Sequence, residues 1–440
     1  MEGINKNKNY EAKGNESESL TILEMIIYSI IGICIFFIPI NLNYQTQTLL
    51  YHITDKIQSD YKTFIQVCII LFISLGSIKS FIKKDKSKII LFFRILSILI
   101  LINIFYGQNY IFFKNDNTVL IIKELVFNLS IVLPISAIFM PFILNYGLLE
   151  IVESYCHPIM KKLFKVSGKV VLNILIFVFT DCFCGLYMAN KLYNQGKLRL
   201  NELYMLILNF SIISFSMFRY TYVELSINNL SFIFITLLIL ILSNMILCRI
   251  YPLSKIKKSY YIKTNYRESI HRKYKFKKGI NKYLQNKEDK KMILYILDNL
   301  EEVINLNMTL IPNILIIFFI SDFIFYNEDI VYIFSKIFYP IINMLNLSDV
   351  ELISKSIIYS FYNEIIAIEL INMNISDNIK LLIGLLFVLK GTTLTSNIAY
   401  ITGSKLELDK KYFILVYLER IFLILILYAS IYYCYTGYIM

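Results

Sequence analysis

Leu230 to Cys248 reads LSFIFITLLILILSNMILC, nineteen residues without a formal charge. A helix of that length rises roughly 28 Å, close to the ~30 Å hydrocarbon thickness of a bilayer. Similar runs recur along the 440-residue chain and constrain it more than any other feature. With 57% hydrophobic residues and a mean hydropathy of +0.60, the chain is too apolar for an ordinary soluble protein of its size. The expected fold class is all-α, a polytopic membrane protein.

Nine spans are legible. The first four cover Leu20–Ile40, Phe64–Ile82, Ile89–Tyr106 and Val119–Tyr146. LYMLILNFSIISFSMF and the run quoted above supply the fifth and sixth. Val303–Phe325, Ile379–Ile401 and Tyr412–Tyr433 complete the set. The first span ends in PINLN and is too long for a signal-peptide core, so no cleaved leader is expected. Residues 1–19 are polar and expected to be a disordered tail.

The net charge of +12 is concentrated: Ser254 to Lys291 holds 14 Lys/Arg against 3 Asp/Glu. Beside membrane spans, such a stretch reads as a cytoplasmic loop obeying the positive-inside bias rather than a nucleic-acid surface. Cys182 and Cys184 form a C-x-C, but no second pair stands at zinc-like spacing and the three His are scattered, so no metal is expected. Walker A, G-x-S-x-G, G-x-G-x-x-G and H-E-x-x-H patterns are missing, and no enzyme activity is expected.

Two stretches break the regularity. HPIMKKLFKVSGKVVLNILIFVFTDCFCG and YPIINMLNLSDVELISKSIIYSFYNEIIA each run from a Pro through a short amphipathic piece and a half-span to an acid. Val170 to Thr180 would rise roughly 16 Å, about half the hydrocarbon core. The chain would then reverse at mid-membrane with Asp181 at the turn. Pro158 precedes Asp181 by 23 residues, and Pro340 precedes Glu364 by 24. If each stretch returns to the side it entered from, the basic loops at Lys83, Lys161, Lys197, Lys257 and Lys410 all face the cytoplasm. The expectation is therefore two re-entrant broken-helix hairpins in an inverted repeat, the plan of many secondary transporters. It divides the chain into a three-helix scaffold (20–110), a first repeat (119–250), a basic cytoplasmic loop (251–298) and a second repeat (299–437).

FMPFILNYGLLE leading into HPIMKKLF, the TD break followed by NKLYNQGKL, then RIYPLS and finally YLERI together resemble the YjiH family of bacterial membrane proteins. That family carries the nucleoside-recognition (Gate) domain, shared with concentrative nucleoside transporters, FeoB-type iron transporters and sporulation membrane proteins. The resemblance runs from about Ile27 to the C-terminus and implies a bacterial cytoplasmic-membrane solute transporter of unassigned substrate, nucleosides or related solutes foremost. The family pattern places Gly around the first acid and three before the second. Here Thr180 and Cys182 flank Asp181, and Phe361 precedes Glu364 by three.

The candidate binding residues are Asp181 and Glu364, with Thr180, Asn363, Asn209, Lys390 and Thr393 around them. An intramembrane carboxylate costs about 2.5 kcal/mol or more to insert, so each needs a role. Binding a coupling ion, H+ or Na+, or a polar solute is one role. Capping the orphaned helix N-terminus at the break is the other. Lys390, near the middle of span eight, needs a partner, and either acid could serve. Asn209 and Asn363 suit a pocket donor or an interhelical hydrogen bond equally. The Thr hydroxyls would line a polar path or bond back to helix carbonyls. Glu419 and Arg420 read as interfacial or paired charges. Expected partners are the bilayer, a small polar solute and, as one option, a second copy of the chain; no nucleic acid is expected. The rival reading is a membrane assembly or sporulation-linked factor that moves no solute, or a channel-like subunit.

Overall fold

The computed structural model describes residues 20–42, 45–82, 88–107, 112–113, 116–262, 275–287, 290–369, 375–391, 394–404, 406 and 408–437. The expected tail at 1–19, the basic loop at Lys83, part of the 251–298 loop and Thr393 lie outside the described residues. The chain is mostly helical. Among the described residues, four helices are long and apolar enough to cross a membrane, and a bent pair makes up to five.

Helix α1 (Leu20–Phe36) leads into a small antiparallel hairpin, β1 (Pro39–Leu42) and β2 (Gln45–Thr48), paired Pro39 to Thr48 and Leu42 to Gln45. Helices α2 (Leu49–Asp60) and α3 (Lys62–Ile82) follow, bent by 95° at Tyr61. The sequence places only a polar loop before span two. Its alternation of polar and apolar residues instead builds α2, whose Leu50 and Thr54 are buried against α5. Helix α4 (Lys88–Tyr106) precedes α5 (Asp116–Leu144), and α6 (Leu148–Phe164) is amphipathic, with Lys161 and Lys162 exposed in its last turn.

Next come α7 (Val170–Phe179) and α8 (Cys182–Asn194), then α9 (Leu200–Leu208), α10 (Phe215–Glu224) and α11 (Asn229–Leu247). Helix α12 (Lys275–Asn286) packs on α6 through the ion pair of Lys282 with Glu153, 2.8 Å. The rest of the chain is α13 (Met292–Phe325), α14 (Glu328–Ser335), α15 (Tyr339–Met344), α16 (Val350–Tyr362), α17 (Glu364–Glu369), α18 (Asp377–Leu389), α19 (Leu394–Ser404) and α20 (Lys410–Gly437). Spans five and eight, expected as single crossings, are each interrupted: α9 gives way to α10, and α18 to α19. The interruption at residues 209–214, NFSIIS, is half apolar and carries no charge, so hydropathy gives it no clear edge.

Two apolar clusters form the interior. One gathers α5, α7, α8, α9 and α13; the other gathers α10, α11, α16, α18 and α20. The first is crossed by two side-chain hydrogen bonds from α13 to α5, one of which repairs proline damage. Pro141 in α5 has no N–H, which leaves the Ala137 carbonyl without its helical donor. Asn299 of α13 donates to that carbonyl at 3.0 Å. Asn307, two turns further along α13, donates to the Leu129 carbonyl at 2.7 Å. These bonds fix the register of α13 against α5.

A polar latch closes the base of the α7–α8 pair. Glu202 accepts from the backbone N–H of Ser167 at 2.7 Å and of Arg199 at 3.0 Å. Lys169 donates to the Lys197 carbonyl at 2.9 Å. Burial pushes the Lys169 ammonium down to about 8 from its usual 10.5.

Two predictions follow from these contacts. Asn299→Leu should lower stability in detergent by about 1 kcal/mol, and adding Pro141→Ala should recover most of it by restoring a donor to the Ala137 carbonyl. Equal losses in the single and double variants would show that the pairing is incidental. For Lys169, the unfolded chain holds one more proton than the folded chain between about pH 8 and 10.5. Stability should therefore rise with pH across that window, by about 3 kcal/mol at most. In Lys169→Met that rise should flatten; an unchanged pH profile of thermal unfolding would refute the assignment.

Candidate functional site

Four helix interruptions carry the candidate residues. At the first, α7 stops at Phe179. The Thr180 hydroxyl folds back onto the Ile176 carbonyl at 2.6 Å, a second donor beside the Thr180 backbone N–H at 2.9 Å. Asp181 is extended (φ −131°, ψ 155°), and its Oδ1 accepts from the backbone N–H of Phe183 at 2.7 Å, capping α8. Gly185 is required one turn on. A Cβ there would stand 2.5 Å from the Phe177 ring, so only Gly lets α7 and α8 lie this close. Asn173 completes the pair by donating to the Gly185 carbonyl at 3.0 Å. Cys184 contacts Ser136 of α5 at 3.4 Å. Tyr51 of α2 lies in electrostatic range of Asp181, so the unforeseen α2 reaches this break. Tyr400 of α19 lies in range of Cys182 and Cys184, so the second half of the chain reaches it too.

At the second interruption the residue that breaks the helix is Asn363, not Glu364. Asn363 is extended (φ −158°, ψ 141°), and its Oδ1 accepts from the backbone N–H of Ile365 at 2.8 Å. Glu364 opens α17, and its side chain lies outside the described residues. The geometric counterpart of Asp181 is therefore Asn363, and Pro340 precedes Asn363 by 23 residues, as Pro158 precedes Asp181. An acid drew the sequence comparison one residue too far, because Asn caps a helix as well as Asp does.

The carbonyl end of α16 is held by two side chains. Lys390, 1% exposed, donates to the Ser360 carbonyl. Thr395 donates to the Tyr362 carbonyl at 3.0 Å. Sequence reasoning expected Lys390 to need an acid; one partner is the carbonyl end of α16, whose dipole favours a cation, and the Glu364 side chain lies outside the described residues. Behind Tyr362 lies Asp322 of α13, buried, accepting from Thr118 at 2.9 Å and from the Tyr362 hydroxyl at 3.4 Å. Its signal, a lone acid in FFISDFIF, was present in the sequence and passed over.

The third and fourth interruptions meet. Arg420 of α20, 1% exposed, donates through Nη2 to the Asn209 carbonyl and at 2.6 Å to Asn244 Oδ1 of α11. Asn209 in turn donates to the Asn244 carbonyl at 3.2 Å. Arg420 therefore secures the carbonyl end of α9 as Lys390 secures that of α16. The sequence set Arg420 aside as an interfacial charge. Helix α20 begins at Lys410, so Arg420 stands roughly 15 Å along it, about half a membrane deep. Gly391 takes φ +93°, a conformation strained for any other residue, and packs against the Ser211 carbonyl and Arg420. A cavity of about 10 Å³ lies between these breaks, bounded by Ile207, Ser211, Lys390, Gly391 and Tyr417.

Of the sequence candidates, Thr180 and Asp181 share the first break. Asn363 and Lys390 sit at opposite ends of the second, and Asn209 joins Lys390 through Gly391 and Ser211. Among the described residues, Asp181 has no ion-pair partner, and no group of three or more His, Cys, Asp or Glu could hold a metal.

Asp181 can be tested for capping against charge. Asp181→Asn keeps the cap acceptor, as Asn363 does, and should leave thermal stability nearly unchanged. Asp181→Ala should lose about 1 kcal/mol. Matching losses in both variants would mean that the charge, not the cap, stabilises the break.

No family model matches this chain, and no curated protein or solved structure matches it either.

Proposed function

We propose that the chain is a secondary transporter that carries a small polar solute across a bacterial cytoplasmic membrane by alternating access. One observation carries this reading: the order of elements recurs. A long helix (α5, then α13) is followed by amphipathic helices (α6, then α14 and α15). An Asx-capped interrupted pair comes next (α7–α8, then α16–α17). A second interrupted pair follows (α9–α10, then α18–α19), and a long apolar helix closes each set (α11, then α20). The first members, α5 and α13, pack on each other, and so do the last, α11 and α20, as a two-fold relation would have them. Taken with the positive-inside placement of the basic loops, the two sets form an inverted repeat of about nine crossings and two re-entrant hairpins. The N-terminus and the 251–298 loop face the cytoplasm in this arrangement.

Interrupted helices at membrane depth are tolerated where they line a site, and inverted-repeat transporters build their solute pockets from such ends. Asp181 is the group best placed to bind a coupling ion, H+ or Na+, because it is charged at a break and has no described counter-ion. Nucleosides and their relatives head the list of solutes through the resemblance to the YjiH family alone.

A second reading has an observation of its own. Side chains of the protein hold the ends of α7, α8, α9, α16 and α17 at their breaks, and the cavity between the third and fourth breaks is about 10 Å³, far too small for a nucleoside. This is either the occluded arrangement of a transporter or the resting structure of a membrane factor that moves nothing.

Flux separates the two. Purified protein in proteoliposomes should accumulate labelled nucleosides or related polar solutes under a proton or sodium gradient. Asp181→Asn should reduce gradient-driven accumulation at least tenfold while solute exchange persists. Absence of solute-dependent flux under either gradient would leave the static factor as the better account.

A further inference from the structure

We infer that the pocket between α3, α5 and α13 binds a lipophilic molecule with a neutral hydroxyl, taken from the hydrocarbon of the bilayer. The pocket holds about 270 Å³. At roughly 30 Å³ for each water-sized group, that admits a chain of roughly nine heavy atoms. Its wall is largely apolar, with Ile57 of α2, Ile69 of α3, Ile131 of α5 and Ile304 of α13. Phe64 and Phe72 of α3 also line it and are exposed, on a surface that meets lipid in a membrane-spanning chain. The fold holds this space open. Helix α2 docks Leu50 and Thr54 against α5 before the bend at Tyr61. Further along α3, Gly76 meets α13 so closely that a Cβ there would stand 2.9 Å from the Met308 Cβ. Helix α3 is held at both ends, and the gap lies between them.

One patch of the wall is polar, and it is made of acceptors. Asn307 of α13 is 9% exposed. Its Nδ2 is spent on the Leu129 carbonyl, which fixes the amide orientation and leaves Oδ1 without a hydrogen-bond partner among the described residues. Ser130 of α5 lines the same pocket, and its buried Oγ has no partner there either. Pro134, also on the wall, has no N–H, so the Ser130 carbonyl lacks its helical donor. At Pro141 the equivalent carbonyl is met by Asn299; at Pro134 the amide of Asn307 goes one residue aside, to Leu129. A buried polar group without a partner costs about 1–3 kcal/mol. A ligand hydroxyl supplies the missing donor, and Ser130 Oγ donates back to its oxygen. An anion would meet only repelling oxygens, and no charged residue is among those described around the pocket to balance a cation. An alkane fills the volume and leaves the acceptors bare. Ser130 stands roughly 18 Å along the span that begins at Thr118, about half way through the hydrocarbon. That depth selects an alcohol or phenol dissolved in the bilayer core over a phospholipid headgroup. Binding here is measured without flux, so it stands or falls separately from the transport reading.

The full-length protein in lipid nanodiscs would be irradiated with an octanol that carries a diazirine on its chain, and the insertion sites mapped by peptide mass spectrometry. Octanol, octyl methyl ether and octane would compete at equal mole fractions in the bilayer. Insertion around Phe64 to Ile73 should be saturable, and octanol should suppress it at a mole fraction about tenfold lower than the ether, which accepts but does not donate. Insertion at the exposed Phe234 of α11 should not saturate. Ser130→Ala and Asn307→Leu should each shrink the octanol-to-ether ratio about threefold, and Ile131→Phe, which fills the space, should abolish insertion there. Should Asn307→Leu fail to fold, Ser130→Ala and Ile131→Phe decide alone. Equal competition by all three compounds would reduce the site to a gap that any acyl chain fills and overturn the inference. Insertion spread evenly over the lipid-facing surface, or a ratio unchanged in Ser130→Ala, would overturn it as well.

Discussion

Backbone groups freed at a helix break have no water to turn to inside a bilayer, and the interior of this protein is arranged around that demand. Amino ends are met by Asx side chains: Asp181 for α8 and Asn363 for α17. Carbonyl ends are met by cations and hydroxyls: Thr180 for α7, Arg420 for α9, Lys390 and Thr395 for α16. The division follows from the helix dipole, since acceptors and negative charge suit the first turn while donors and positive charge suit the last. Polar residues deep in an apolar chain are thereby explained without a solute. What remains unexplained by capping, namely the charge of Asp181 and the open donors of Arg420, is where function has to be sought.

The same demand shapes ordinary helix contacts. Pro141 leaves a carbonyl unpaired in α5, and Asn299 answers it from α13. That exchange ties the first long helix of one set of elements to the first long helix of the other. The α11–α20 contact, with Arg420 reaching Asn244, ties the last members in the same manner. Both of these contacts therefore include a polar bond, which fixes register where apolar packing alone would let helices slide.

Much of this was legible in the sequence, and the failures have physical causes. Apolar runs located α5, α11 and α20 to within a few residues, because a run longer than the hydrocarbon depth has little choice of structure, while α13 starts at Met292, well before the expected Val303, on a more polar turn. Asp181 was legible as a break because the run before it was too short to cross. The second break was displaced by one residue, since Glu364 looked costlier than Asn363 while the cap needs only a short side-chain acceptor. The breaks inside spans five and eight were hidden: LNFSIISF carries no charge through its interruption, and the φ of Gly391 leaves no trace in hydropathy. Arg420 was misjudged because its depth depends on where α20 begins, which charge patterning near Lys410 did not fix. Helix α2 was missed because a polar, amphipathic stretch between spans reads as a loop until its buried face is known.

Opening such a structure is chemically specific. Separating α18–α19 from α9–α10 pulls Gly391 away from Ser211 and Arg420, but the cap on α9 is made by Arg420 from α20 and need not break. The cap on α16 is different, because Lys390 belongs to the interrupted helix that would move. A motion at that break takes Lys390 from the Ser360 carbonyl, and a buried carbonyl left without a donor costs about 1–3 kcal/mol, so the break opens only where another donor replaces Lys390.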